Sequence, residues 1–190
     1  LTFEGNFASL KAREDNQYVY AGGAEGFVGI LLIRSSDKGN TWENLFPFCY
    51  VQDLDFYGDT IHKIIVADRY KVMLSVNNGT DWLQILQTDS LSVQNISFSP
   101  DGKIIYVVTN TLFYGLPRTY FFFSSDEGKS WTSMQFPIYD LVIDMDIGDD
   151  EFIYLVSISS GVFRLKSPIV SIEDEAGVPI VYLILLLGLN

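Results

Sequence analysis

Two pairs of acidic residues recur at matching places in the sequence and are the residues best suited to chemistry. Asp53 and Asp55 form one pair, Asp144 and Asp146 form the other, and Asn95 takes the equivalent place in a third copy. Residues two apart in a strand point to the same face, so each pair presents both carboxylates together. Paired carboxylates can bind a hard cation such as Ca²⁺ or act as general acid and base on a glycoside. They can also accept backbone hydrogen bonds from a neighbouring sheet, which would be a purely structural role.

No other residues in the sequence are as well arranged for catalysis or for metal binding. His62 is the only histidine, and the spacing assigns it no partner for a catalytic triad and no companion ligands for zinc. Cys49 is the only cysteine and lies among apolar residues without a neighbouring cation, which favours a buried, unreactive thiol. We therefore predict no cofactor, with calcium as the one metal that the acid pairs leave open. Whether the protein is an enzyme also stays open here.

A repeated turn determines where the strands must lie. Residues 35–42, 75–82 and 124–131 follow a pattern close to Ser-x-Asp-x-Gly-x-Thr-Trp, and we call them the repeat turns. Asp, Asn and Ser bond to nearby backbone N–H groups, Gly adopts a positive φ freely, and Trp buries a large ring. The tryptophans recur every 40–50 residues or so, roughly the length of a four-stranded propeller blade. The residues that carry the pattern are Ser35, Asp37, Gly39, Thr41 and Trp42, then Ser75, Asn77, Gly79 and Trp82, then Ser124, Asp126, Gly128, Ser130 and Trp131.

The repeat turns resemble the Asp-box, or BNR repeat, of sialidases, sortilin-type ectodomains, xyloglucanases and photosystem-assembly propellers. The first and third copies match it in full, whereas the middle copy has Asn77 for the Asp and Asp81 for the Thr, which we expect to weaken its turn. The resemblance implies an all-β propeller of four-stranded antiparallel blades, in which the turns are structural and lie away from any active site. It also implies that this chain is part of a larger ring.

The strand pattern divides residues 1–166 into units of about 1–49, 50–91, 92–140 and 141–166. Each unit carries its polar pair in the first strand, so the candidate site residues should line the channel at the axis of the ring. The fourth unit stops after its third strand at 161–164, and we expect residues 1–3 to supply its fourth strand and close the ring. A longer loop at 111–118, with Gly115 and Pro117, is the predicted binding loop.

The end of the chain has a different composition. Residues 167–179 are expected to form an exposed linker, and residues 180–190 an apolar tail that is too short to span a bilayer. This order resembles secreted bacterial propellers that carry a C-terminal sorting module of the type IX secretion pathway, which implies a secreted or cell-surface location. The tail lacks the motif of that module, and an edge strand is an equal alternative for it.

The composition restricts the possible partners. A formal net charge of −12 argues against nucleic acid and anionic membranes. Hydrophobic residues at 48% and aromatic residues at 15% are enough to build a folded core. The sequence therefore favours a non-catalytic extracellular or surface module that binds protein or carbohydrate. One alternative is a glycoside hydrolase, sialidase- or xyloglucanase-like, whose catalytic residues lie partly outside this chain; the other is an assembly factor that docks on a protein complex.

Overall fold

The structure is a computed structural model that describes residues 6–12, 18–25, 29–45, 50–113, 115–136, 139–150, 152–166 and 183–185. In these residues all regular secondary structure is β-strand, as the abundance of Val, Ile, Tyr and Phe predicts. No helix in these ranges is long and apolar enough to cross a membrane. The predicted linker at 167–179, the closing strand at 1–3 and Cys49 lie outside the described residues.

In the part of the chain that the structure describes, sixteen strands form four antiparallel sheets of four strands, which we call blades 1 to 4. Within each blade the strands are paired in chain order. Blade 1 contains β1 (Asn6–Ala12), β2 (Val19–Glu25), β3 (Gly29–Ser35) and β4 (Glu43–Asn44), and blade 2 contains β5 (Asp53–Tyr57), β6 (Lys63–Asp68), β7 (Lys71–Ser75) and β8 (Leu83–Gln87). Blade 3 contains β9 (Ser92–Phe98), β10 (Ile105–Phe113), β11 (Leu116–Ser124) and β12 (Thr132–Gln135), and blade 4 contains β13 (Val142–Ile147), β14 (Phe152–Ser157), β15 (Gly161–Lys166) and β16 (Leu183–Leu185).

The fourth strand of blade 4 comes from the apolar tail. Strand β16 pairs with β15, with Leu183 opposite Leu165 and Leu185 opposite Phe163. This part of the tail is therefore an edge strand, which was one of the two alternatives for it. It takes the place beside β15 that was expected for residues 1–3, so that expectation is wrong.

The first strand of each blade carries the polar pair on the side next to the axis. In blades 1, 3 and 4 the pairing register shifts just before the pair, so that Ala8, Gln94 and Ile143 have no partner in the ladder. After this shift the first polar residue of each pair has the same register position in every blade; these residues are Ser9, Asp53, Asn95 and Asp144. The second polar residues also share one register position; they are Lys11, Asp55, Ser97 and Asp146.

The prediction of a loop at 111–118 is wrong, because these residues extend a hairpin; the binding role predicted for them stays a prediction. Thr111 pairs with Arg118, Leu112 with Pro117 and Phe113 with Leu116, so β10 and β11 are nine residues long each. Strand β10 ends at Phe113 and β11 begins at Leu116. Blade 3 therefore projects further than its neighbours at this end.

The core lies between the blades. Tyr20 and Leu32 of blade 1 pack against Leu54 and Phe56 of blade 2, and all four are 0% exposed. Equivalent clusters join blade 2 to blade 3 through Ile65, Val72, Ile96 and Val107, and blade 3 to blade 4 through Tyr106, Phe121, Leu155 and Phe163. Each fully buried side chain of this size contributes about 1.5–3 kcal/mol, so the packing of neighbouring blades holds the inner strands in place.

Candidate functional site

The first repeat turn shows what the recurring residues do. One carboxylate oxygen of Asp37 accepts hydrogen bonds from the Ser35 hydroxyl at 2.8 Å and the Thr41 N–H at 2.7 Å, and the other accepts from the Thr41 hydroxyl at 2.7 Å. The Ser35 hydroxyl oxygen accepts from the N–H of Gly39, whose φ is 89°. The Trp42 indole N–H donates to the Gly39 carbonyl at 3.0 Å. Every one of these bonds holds the turn together.

The middle turn keeps this geometry with one bond reversed. The Asn77 side-chain oxygen accepts from the Ser75 hydroxyl and the Asp81 N–H, as Asp37 does in the first turn. The Asn77 amide nitrogen then donates to the Asp81 carboxylate at 2.9 Å, where the first turn has a threonine donating to an aspartate. The two substitutions compensate each other, so the predicted weakening of this turn loses its basis.

The third turn also joins two blades. Asp126 is bonded like Asp37, and the hydrogen bond from the Ser130 hydroxyl, with that from the Ser130 N–H, lowers the pKa of Asp126 to about 2. The Trp131 indole N–H donates both to Gly128 O at 3.1 Å and to the carbonyl of Ile85 in blade 2 at 2.8 Å. The repeat turns thus have their polar atoms engaged in local or interblade bonds.

The five axial candidates lie around two cavities that all four inner strands line. Asp53, Asn95 and Asp144 line a cavity of about 340 Å³ together with Ser9. Asp55 and Asp146 line a second cavity of about 290 Å³, together with Lys11, Ser97 and Asp149. The topology therefore brings the acid pairs of blades 2 and 4 to the same axis, but it divides each pair between two spaces.

In blade 2 both carboxylates bridge to blade 3. Asp53 accepts from the N–H of Ile96 at 3.0 Å, from the Ser9 hydroxyl of blade 1 at 2.8 Å and from the next N–H in its own strand. Burial raises the pKa of Asp53 above its usual value, in spite of the bonds from Ile96 and Ser9. Asp55 accepts from the N–H of Phe98 at 2.8 Å in the same way. These bonds cap N–H groups at the unpaired edge of β9, which is a structural use of both acids.

In blade 4 the carboxylates are exposed. Asp144 accepts from the N–H of Met145 and Asp146 from that of Ile147, both at 2.9 Å. In the described part of the chain no group of three or more His, Cys, Asp or Glu residues could hold a metal ion. Asn95 has a buried side-chain oxygen without a hydrogen-bond partner among the described residues. The described part of the axis therefore offers polar, partly acidic surface to a ligand, and the exposed carboxylates of the two acid pairs are those of blade 4.

Sequence reasoning missed a buried pair at the interface of blades 1 and 2. The Tyr20 hydroxyl lies 2.5 Å from Nδ1 of His62, and Nε2 of His62 lies 3.2 Å from the carbonyl of Asp59. A carbonyl only accepts, so Nε2 carries the proton and Nδ1 accepts from Tyr20. Both residues are 0% exposed, and burial raises the pKa of Tyr20 to about 12. Neither the histidine nor the tyrosine is accessible to a ligand.

The projecting hairpin and the segments of blade 4 beside it present three exposed large side chains, Leu116, Tyr139 and Ile158, together with the half-buried Arg118; we call these four residues the hairpin patch. Leu116 and Arg118 share one face of β11, and the Arg118 guanidinium lies 5.6 Å from the centre of the Tyr139 ring. Tyr139 is 62% exposed, Ile158 61% and Leu116 50%. The Ile158 N–H donates to Leu141 O, which ties the turn of blade 4 to the segment that holds Tyr139. Sequence reasoning pointed to this end of blade 3 but not to Tyr139.

Comparison with known structures identifies the architecture. An ancestral GH74 enzyme superimposes with a TM-score of 0.66 at 19% identity, over 84% of this chain and 22% of that chain. A chain of the nidogen–laminin complex gives 0.68 at 13% identity, over 86% of this chain and 61% of that chain. YCF48 bound to D1 peptide gives a TM-score of 0.57 at 15% identity, over 86% of this chain and 51% of that chain. The chain is a β-propeller.

The similarity shows the fold and is limited to it. No protein-family model matches the sequence, and no curated protein matches it. The chain spans about a fifth to three-fifths of the length of the three structures. The prediction of an all-β propeller with four four-stranded blades is confirmed.

Proposed function

We propose that this propeller is a non-catalytic module that binds a protein partner through the hairpin patch. The observation that carries the proposal is the exposed Tyr139 ring with the Arg118 guanidinium beside it, flanked by Leu116 and Ile158. Tyrosine and arginine are the residue types that dominate binding energy at protein interfaces. An exposed cluster of aromatic and aliphatic side chains is typical of a surface that binds a partner.

The axial carboxylates support binding over catalysis. Glycoside hydrolysis needs one carboxyl group to donate a proton and a second to act as base or nucleophile. In blade 2 both candidate acids already accept backbone hydrogen bonds from blade 3. Among the described axial residues Asp144, Asp146 and Asp149 remain for such a role, and Asp144 lines a different cavity from the other two.

The compared structures support a protein ligand, and one of them also supports the alternative function of a glycoside hydrolase. YCF48 was solved with a bound D1 peptide, and the nidogen–laminin chain comes from a protein complex. The GH74 enzyme keeps open the alternative of a glycoside hydrolase whose remaining catalytic residues are outside this chain. From the resemblance to secreted propellers we propose a secreted or cell-surface location.

The test begins with a phage-displayed library of random peptides selected on the immobilised full chain. Affinity of the selected peptides is then measured by biolayer interferometry for the native protein, Tyr139→Ala and Arg118→Ala. Each substitution should weaken binding by roughly tenfold or more, as expected for an interface hot spot. Ile61→Ser is the control, because Ile61 is 64% exposed and lies at the opposite end of the blades. Selected peptides that bind Tyr139→Ala as tightly as the native protein would contradict the proposal, and hydrolysis of xyloglucan above the blank would favour the enzyme.

A further inference from the structure

The larger of the two axial cavities is a polar space to which all four inner strands contribute. Its volume of about 340 Å³ is at the lower end of the range for small-ligand sites, and a polar space of this size is filled either by ordered water or by a polar ligand. Its polar lining combines neutral with charged side chains, namely Ser9, Gln52, Gln94 and Asn95 with Lys11, Asp53 and Asp144. The hydrogen-bonding atoms that the fold leaves free indicate which ligand it suits.

Three of the four neutral side chains offer an acceptor. The Ser9 hydroxyl donates its proton to Asp53 at 2.8 Å, so its oxygen can only accept. The Gln94 side-chain nitrogen donates to the hydroxyl and the carbonyl of Ser92, at 3.1 and 3.5 Å, which leaves its oxygen as the atom without a bond among the described residues. The Asn95 side-chain oxygen is buried and likewise has no partner in the described ranges. A buried acceptor of this kind needs a donor, which water or a ligand would have to supply.

The charges around the axis add a second requirement. One oxygen of Asp144 accepts from the Met145 N–H at 2.9 Å, and in the described part of the chain no hydrogen bond reaches the other. Lys11 is the one cation among the described residues that line the two axial cavities, and it has no salt bridge within those ranges. The acids that line the same two cavities are Asp53, Asp55, Asp144, Asp146 and Asp149. The axis therefore has an excess of negative charge, which raises the local concentration of cationic ligands.

A guanidinium group meets both requirements better than a metal ion does. A Ca²⁺ ion takes about six to eight oxygen ligands, whereas Asp53 already accepts hydrogen bonds from two neighbouring blades and from its own strand. A guanidinium has a positive charge and five N–H donors, and it has no acceptor. The free oxygen of Asp144 and those of Ser9, Gln94 and Asn95 make four acceptors, more than the three N–H groups of an ammonium can fill.

The cavity lies at the end of the blades from which the hairpin projects. Asn110, where the extension of β10 begins, pairs with Ser92 at the start of β9. The Asn110 side-chain nitrogen donates to the Val142 carbonyl at 2.7 Å, and the next residue, Ile143, lines the cavity and is 52% exposed. The base of the hairpin therefore contacts the segment at the rim of the cavity, and a partner bound to the hairpin patch is within reach of it.

We propose that the larger axial cavity binds a guanidinium group, and that this group is an arginine side chain of the protein partner. Its N–H groups donate to the free oxygen of Asp144 and to the side-chain oxygens of Ser9, Gln94 and Asn95. The preference for a guanidinium follows from the cavity alone, whereas the source of the guanidinium in a protein partner rests on the proposed function.

The preference of the cavity is tested by NMR titration of the ¹⁵N-labelled full chain with n-butylguanidinium at constant ionic strength. The side-chain NH₂ signals of Asn95 and the backbone signal of Met145 should shift and reach saturation. N-butylurea is the matched control ligand, because it has the same shape but no charge, and a carbonyl in place of one NH₂ group. Its dissociation constant should be higher by about tenfold or more, since hydrogen bonds between charged groups are the stronger ones. Shifts that do not saturate, or equal binding of the two compounds, overturn the proposal.

Two substitutions test the charges of the site. Asp144→Asn should raise the dissociation constant of n-butylguanidinium about tenfold or more. Asp89→Asn is the control, because it removes the same charge at an exposed position outside the cavity and should leave binding nearly unchanged. Lys11→Met removes the opposing charge and should tighten binding several-fold.

Circular dichroism shows whether each of these variants is folded. A folded Asp144→Asn variant that binds as tightly as the native chain overturns the proposal. Weaker binding by Lys11→Met would also overturn it, because the ligand would then accept a hydrogen bond from Lys11, which a guanidinium cannot do.

The source of the group is tested with the selected peptides that depend on the hairpin patch. Peptides that lose affinity for Tyr139→Ala should contain an arginine. Replacing this arginine by the neutral citrulline should weaken binding to the native protein about tenfold and have little further effect on binding to Asp144→Asn. Patch-dependent peptides that bind Asp144→Asn as tightly as the native chain overturn this source. If no selected peptide depends on Tyr139, the proposed function and this source are both refuted, whereas the titration still decides what the cavity binds.

Discussion

The glycines of the repeat turns allow a matched test of how the third turn is packed. Gly39 and Gly128 have nearly the same φ, 89° and 81°. A Cβ added at Gly39 meets only the Trp42 ring, at 3.7 Å, whereas one added at Gly128 would lie 2.5 Å from Cβ of Ile85 in blade 2. Gly39→Ala therefore isolates the cost of a left-handed backbone, about 1–2 kcal/mol. Gly128→Ala adds an overlap at a blade interface, which costs typically about 1–3 kcal/mol more.

Urea unfolding followed by tryptophan fluorescence measures both variants against the native protein. We expect a loss of about 1–2 kcal/mol for Gly39→Ala and about 2–5 kcal/mol for Gly128→Ala. Equal losses would refute the packing of Gly128 against Ile85, since the backbone cost is common to both. No loss in either would refute the positive φ itself.

Three further predictions concern the acids and the buried tyrosine. The pKa of Asp126 is about 2 in the folded chain and near 3.8 in the unfolded chain. The stability that Asp126 contributes is therefore present above about pH 3.8 and lost towards pH 2, so the melting temperature should fall as pH drops from about 4 towards 2. Asp126→Asn should flatten this pH dependence in melting curves. Asp55→Ala leaves two buried N–H groups without an acceptor and should cost about 2–4 kcal/mol in urea unfolding. Asn77→Asp should lower the melting temperature, because it places a second carboxylate against that of Asp81. Adding Asp81→Thr should restore the melting temperature, and additive effects of the two substitutions would contradict the hydrogen bond from Asn77 to Asp81.

The parts of the fold that follow from local sequence were predictable. Each repeat turn is closed by bonds between residues two to four apart, so its residue types determine its shape. The extended hairpin was missed because Pro117 and Gly115 are typical of loops. Pro117 is tolerated because it pairs near the end of β11, where the hairpin projects beyond its neighbours.

Contacts between blades were less accessible to sequence reasoning. The hydroxyl that meets His62 belongs to Tyr20 in another blade, 42 residues away. Tyr139 is brought to Arg118 by the segment between blades 3 and 4, which has no periodic pattern. Such pairs depend on how blades are packed together, and a single sequence carries no direct signal of that packing.

The acidity of the chain has a structural origin that bears on its function. Asp37 and Asp126 cap N–H groups where a turn interrupts a strand ladder, and Asp53 and Asp55 cap N–H groups where the ladder ends at a sheet edge. A carboxylate accepts such bonds more strongly than a neutral side chain does, so a fold built from short sheets with many edges gains from aspartate at these points. A net charge of −12 therefore does not by itself indicate a cation or a basic ligand. Among the described acids of the axial pairs, the informative ones are Asp144 and Asp146 on blade 4, for which the described residues supply no second N–H to cap.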